Sequence, residues 1–272
     1  MFCSATALAA TCAAVMAMGV SALAVEIVAH RGESFEAPEN TLAAIELAWK
    51  LDDDAVEIDC HLTADGKLIV CHDSIAERTG GEKLVLRQCT AQRLRQLDVG
   101  RWKGEKWAGQ RMPLIEEALA TVPAGKRMLI EMKCGVEGVP ALVEALNSSG
   151  KPAQQFMIVS FHRDVIAEVA RRLPAYRTLL ISDLKQDKQT GAWSPTVEQL
   201  IADARRIGAT GISVAARPPV DRDFVRKAKE AKLEFHVWTI DDPALARRMV
   251  EYGVDGITTN RAAWIKEQLS SR

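Results

Sequence analysis

From residue 25 onward, short β-rich apolar runs alternate with stretches whose apolar residues recur at helical spacing. The β-type runs fall at 25–29, 55–62, 127–133, 156–161, 176–181, 211–214, 234–240 and 256–259. The helical patterns fall at 40–51, 114–122, 139–148, 164–173, 195–207, 222–231, 243–252 and 262–269. Asn40 or Thr41 suits the first N-cap, and Pro113 the first turn of the second helix. A strand followed by a helix, repeated, means parallel strands joined by right-handed crossovers. The pattern predicts an α/β fold, a TIM (β/α)8 barrel with a small insertion after the second strand. An open doubly wound sheet is the other arrangement, but no G-x-G-x-x-G follows the first strand.

The second unit departs from the rhythm. Along 55–62, Val56, Ile58 and Cys60 point one way and Glu57, Asp59 and His61 the other. Asp65-Gly66 signals a turn, and 67–71 reads as a return strand that brings His72 and Asp73 near Glu57 and Asp59. Residues 74–112 carry no clean period and read as an insertion with a short helix near 91–97. Its Trp102 and Trp107 are expected to pack it onto the barrel; a lipid-facing lip is the alternative.

The chain has 272 residues and a formal charge of −1. One domain at 25–272 is the expectation, and the charge balance offers no basic footprint for nucleic acid. Residues 1–24 contain no charged side chain, are rich in Ala and end in Ala22-Leu23-Ala24. They read as a signal peptide, placing the protein in the periplasm or outside the cell; an uncleaved membrane anchor is the rival. Cys60, Cys71, Cys89 and Cys134 remain after cleavage and are expected to be buried free thiols. A two-residue turn would set Cys60 opposite Cys71, whereas a longer turn with a bulge at Gly66 would separate them. No cysteine spacing resembles a zinc site.

In such a barrel the loops after the strands build the site. Those ends carry His30 and Arg31, Glu57 and Asp59 with His72, Glu131 and Lys133, Ser160 and His162, His236 and Trp238, and Asn260. A spacing of two puts Glu57 with Asp59, and Glu131 with Lys133, on the lumen side. Three carboxylates at one mouth call for a cation, and oxygen-only donors favour Ca²⁺ or Mg²⁺. Two histidines, an Arg and a Lys beside that ion suit phosphoryl chemistry. His30 and His72 are the acid–base candidates because they flank the carboxylates. His162 and His236 are expected to be satisfied barrel histidines.

H-R-G at 30–32, P-E-N-T at 38–41, E-I-D at 57–59, L-T-A-D-G at 62–66, H-D at 72–73, E-M-K at 131–133, V-W-T-I at 237–240 and D-G-I-T-T-N at 255–260 together resemble the glycerophosphodiester phosphodiesterase family. The resemblance implies a TIM barrel in which Glu57, Asp59 and Glu131 hold a divalent ion, Ca²⁺ or Mg²⁺. It implies acid–base roles for His30 and His72, phosphate contacts for Arg31 and Lys133, and a glycerol-side aromatic at Trp238. The implied reaction is hydrolysis of a small glycerophosphodiester, such as glycerophosphocholine, to glycerol 3-phosphate and an alcohol. The family is similar to phosphatidylinositol-specific phospholipases C, which implies attack by the glycerol 2-hydroxyl through a cyclic phosphate. Two alternatives stand: a lysophospholipase D or phospholipase C-like enzyme acting on lipids, and a non-catalytic barrel binding phosphorylated ligands. Nothing in the sequence indicates a membrane partner.

Overall fold

The computed structural model describes residues 25–271. The signal-peptide reading concerns 1–24, which lie outside the described residues. No helix among the described residues is long and apolar enough to cross a membrane.

The strands are β1 (Glu26–His30), β2 (Ala55–Leu62), β3 (Leu68–Val70), β4 (Arg127–Met132), β5 (Phe156–Ser160), β6 (Arg177–Ser182), β7 (Gly211–Ala215), β8 (Glu234–Trp238) and β9 (Gly256–Thr259). All but β3 pair in parallel in the order β1-β9-β8-β7-β6-β5-β4-β2, and β1 pairs back onto β2, so the sheet closes. The helices are α1 (Leu42–Lys50), α2 (Ile115–Thr121), α3 (Val139–Ser148), α4 (Arg163–Arg172), α5 (Val197–Ile207), α6 (Arg222–Glu230), α7 (Pro243–Tyr252) and α8 (Ala262–Ser270). The expected eight-stranded TIM barrel is the observed fold. A small hairpin (Lys185–Gln186 with Trp193–Ser194) decorates the loop after β6.

Strand parity sorts the side chains into two cores. Val28, Ala55, Leu129, Met157, Val159, Leu179 and Ile181 fill the lumen. Their alternates, Ile27, Ala29, Val56, Ile58, Ile130 and Ile158, pack under the helices. The lower end is closed by polar contacts: Arg177 Nη1 to Glu234 at 2.9 Å, His236 Nε2 to the same carboxylate at 2.9 Å, and Arg127 to Glu26 at 3.2 Å. His236 is therefore a buried barrel histidine bonded through Nε2, but it is not the fully satisfied one expected, because its Nδ1 has no partner among the described residues. His162 is not a barrel histidine: it is exposed at the start of α4, where its backbone N–H donates to Ser160 Oγ at 3.1 Å.

The hairpin differs in detail. Cys60 pairs with Val70 and Leu62 with Leu68, so the loop is 63–67, longer than either expected turn. Thr63 organises it, its Oγ1 donating to Asp65 Oδ1 at 2.6 Å and accepting from Lys67 N–H at 3.0 Å. This register leaves Cys60 under the helices and Cys71 in a separate cluster, and all four described cysteines are free. That cluster (Ile69, Cys71, Ala76, Leu86, Leu94, Leu97, Val99, Met112) is the insertion's own small core. The helix expected at 91–97 is a single turn, Ala91–Leu94, accompanied by another at Glu77–Gly80. Trp102 and Trp107 belong to no apolar cluster, contrary to expectation; Trp102 Nε1 donates to Val99 O at 2.8 Å. The insertion's tie to the barrel loops includes Lys103 Nζ, which donates to Ser34 O at 2.7 Å.

Candidate active site

The end of β1 shows why H-R-G has its form. His30 is the last inward residue of the strand. Arg31 follows in the left-handed region (φ 60), costly for a residue with a Cβ. That turn lets its N–H donate to Glu57 Oε2 at 3.0 Å while its guanidinium meets Glu39 at 2.8 Å and Asp59 at 3.2 Å. Gly32 (φ 80) packs so tightly on α1 that a Cβ there would lie 2.5 Å from the Ala44 carbonyl carbon.

P-E-N-T does more than start a helix. Thr41 is the N-cap, accepting from Ala44 N–H at 3.2 Å. Asn40, at φ 57, grips Asp59 from two sides: Nδ2 donates to Asp59 Oδ2 at 2.8 Å and Oδ1 accepts from Asp59 N–H at 3.1 Å. Glu39 accepts from both Arg31 and Arg78. Reading this motif only as a cap missed two residues that hold the site.

Glu57, Asp59 and Glu131 each offer a carboxylate oxygen, and these lie within 4.8 Å of one another. Burial, then the charges of Asp59 and Glu131, push the Glu57 carboxyl well above its ordinary range. Burial and Asp59 also raise Glu131. Asp59 goes the other way: burial pushes it up, but Lys133 and Arg31 outweigh that and hold it down. Lys133 Nζ sits 2.8 Å from Glu131 Oε1 and 3.4 Å from Asp59 Oδ1, which keeps the ammonium charged despite its burial. Glu57 Oε1 is buried with no hydrogen-bond partner among the described residues. An orphaned carboxylate oxygen is costly, and a hard cation supplies the missing partner. The three-carboxylate donor set thus fits a divalent ion.

Each histidine is held from behind. His30 Nδ1 lies 2.7 Å from Asn260 Oδ1. Asn260 donates through Nδ2 to Asp241 Oδ2 at 2.7 Å, which fixes the amide orientation. His30 must therefore donate through Nδ1–H, leaving Nε2 free, 4.0 Å from Glu57 Oε2. Burial, then the Arg31 charge, lower His30 to about 4, so the ring is neutral near pH 7. His72 Nδ1 lies 2.7 Å from Asp73 Oδ1, and Arg78 Nε donates to Asp73 Oδ2 at 2.6 Å. Burial pushes Asp73 up, but the bonds from Arg78 and His72 prevail and keep it ionised. The His72 backbone oxygen accepts from His61 Nε2–H at 3.0 Å, which gives His61 a supporting role. Sequence reading missed Asp73 and Asp241 as supports; the H-D dipeptide was the available signal for the first.

These groups face one cavity of about 170 Å³, lined by His30, Arg31, Glu57, His72, Glu131, Lys133 and Trp238 among others. Every expected site residue but Asp59 lines it, and Asp59 lies buried against its floor groups. Trp238 packs edge-on to Phe161, centroids 5.9 Å apart, and its Nε1 has no partner among the described residues.

Comparison with known proteins identifies the family. The family model described as the glycerophosphoryl diester phosphodiesterase family matches residues 30–263. The chain is 29% identical over 238 residues to a glycerophosphodiester phosphodiesterase of Caldanaerobacter subterraneus subsp. tengcongensis, covering 86% of this chain and 93% of the relative. It is 28% identical over 253 residues to a glycerophosphodiester phosphodiesterase of Bacillus subtilis, covering 86% and 82%. A solved structure of an Oleispira antarctica phosphodiesterase in complex with its product sn-glycerol-3-phosphate superposes with a TM-score of 0.81 at 25% identity, covering 90% of this chain and 97% of that one. The chain belongs to the glycerophosphoryl diester phosphodiesterase family and is a phosphodiesterase.

Proposed function

We propose that the protein hydrolyses small glycerophosphodiesters to glycerol 3-phosphate and an alcohol with His30 and His72 as the acid–base pair. The observation that carries this is the convergence of both imidazoles, Glu57, Glu131, Arg31 and Lys133 on one cavity, with Asp59 clustered beside the two carboxylates. A divalent ion, Ca²⁺ or Mg²⁺, held by Glu57, Asp59 and Glu131, would supply positive charge for the non-bridging phosphate oxygens. Arg31 and Lys133 bind the same phosphate and stabilise the charge that grows there.

Neutral His30 takes the proton of the glycerol 2-hydroxyl through Nε2. The new O–P bond forms as the bond to the alcohol breaks, and His72 gives its proton to the departing oxygen. In the second half His72 takes a proton from water as its oxygen attacks phosphorus. The cyclic P–O bond opens and His30 returns the proton to the 2-oxygen. Asn260 and Asp73 keep each ring in the tautomer that presents Nε2 to the cavity. Trp238 orients the glycerol.

The test is release of glycerol 3-phosphate from a glycerophosphodiester panel. His30→Ala and His72→Ala should each lose at least ~10²-fold in kcat. Unchanged rates in either variant refute the assignment. We also propose that residues 1–24 direct export and are removed; exported protein that still begins at Met1 would refute that.

A further inference from the structure

A phosphodiester has two arms, and the catalytic cavity of about 170 Å³ is the smaller of two recesses that share a wall residue. A second recess of about 510 Å³ adjoins it, with Lys133 lining both. Its walls include His61, Ser74, Arg87, Glu137 and His162. His72 lines the catalytic cavity, and its carbonyl is held by His61, which lines the recess, as does Ser74 two residues on. The group that protonates the leaving alcohol is thus tied to the recess through its own backbone.

We propose that the recess receives the head group of the leaving alcohol and selects a polyhydroxyl alcohol, such as glycerol or a cyclitol, over a quaternary ammonium. This rests on the hydrolase reading above and adds to it the class of alcohol. Quaternary ammonium groups are recognised by aromatic faces. No Phe, Tyr or Trp among the described residues lines the recess. A hydroxyl both donates and accepts, and these walls offer both. Arg87 donates, the Ser74 hydroxyl does either, and Glu137 accepts. Glu137 lies over Gly135, where a Cβ would come 2.4 Å from its Oε2.

The test compares kcat/KM for four diesters of glycerol 3-phosphate: the methyl, glycerol, inositol and choline esters. The methyl ester has no head group to bind and reports the chemistry alone. The glycerol or inositol ester should exceed the choline ester by about tenfold or more, the worth of one or two well-made hydrogen bonds. Arg87→Ala and Glu137→Ala should each lower the ratio of polyol ester to methyl ester by about tenfold. A choline ester turned over as well as the polyol esters overturns the selection. Variants that lose equally on polyol and methyl esters overturn the recess as a head-group site. If wild type cleaves none of the four, including the methyl ester, the hydrolase reading itself fails and this inference falls with it.

Discussion

Exchanging Asn260 and Asp241 tests the acid–base assignment without dismantling the site. In Asn260→Asp/Asp241→Asn the new carboxylate takes the place of the amide oxygen 2.7 Å from His30 Nδ1. The new amide at 241 keeps an acceptor for Asn260 N–H and Thr259 Oγ1, and donates where Asp241 Oδ2 had accepted at 2.7 Å. Every hydrogen bond survives with donor and acceptor exchanged across one of them. What changes is the charge behind the imidazole. A carboxylate at this distance raises a histidine by about 1–3 pH units. His30 starts at about 4, depressed by burial and by Arg31. The base is the deprotonated ring, so activity is lost as pH falls through its pKa. Wild type should lose activity near pH 4, and the exchange variant at about pH 5–7. The assay is kcat/KM across that range at saturating divalent ion. An acid limb at the same pH in both proteins would refute His30 as the base.

Other outcomes follow from the same geometry. Ca²⁺ or Mg²⁺ at about a hundred times its dissociation constant should stabilise the fold by about 2.7 kcal/mol, read as a rise in Tm, and Glu57→Gln should abolish that rise. A metal-independent Tm would contradict the ion site. Asp53 is fully buried beside Glu33, and burial followed by Glu33's charge pushes it up to about 8. Its folded-state pKa lies above the unfolded value, so this pair costs stability as pH rises between about 4 and 8, on the order of 1 kcal/mol per pH unit. Asp53→Asn should therefore unfold at higher denaturant than wild type at pH 8 and converge with it toward pH 4; parallel curves would refute the pairing. Non-reducing mass spectrometry of protein lacking 1–24 should find four free thiols. In the folded state Cys60 and Cys71 should react slowly, because burial raises Cys60 well above its usual range and Cys71 to about 12. A Cys60–Cys71 bridge would contradict the hairpin register.

The barrel was legible because its strands keep strict parity. Glu57 with Asp59 and Glu131 with Lys133 could be placed in the lumen from spacing alone, since neighbours such as Ile58 and Ile130 had to face the helices. What spacing does not encode is the loop between Thr63 and Lys67. There a hydroxyl–carboxylate bond lengthens the turn and separates Cys60 from Cys71. The supports of the site were equally hidden. Asn40 reads as a helix cap until the left-handed turn at its own backbone aims it at Asp59. Asp241 lies 19 residues from Asn260 and reaches it because β8 and β9 are neighbours in the barrel. His162 carries the spacing of a barrel histidine, yet it lies beyond the last residue of β5 and turns to solvent.

A metal-loaded cavity that cleaves glycerophosphodiesters with two histidines can be followed by phosphorus NMR of glycerophosphoglycerol incubated with the protein and Ca²⁺ or Mg²⁺, before and after addition of EDTA. Glycerol 3-phosphate should accumulate with the ion, and its formation should stop when the ion is removed. Turnover that continues in EDTA, or a diester that stays intact with either ion, would contradict that mechanism.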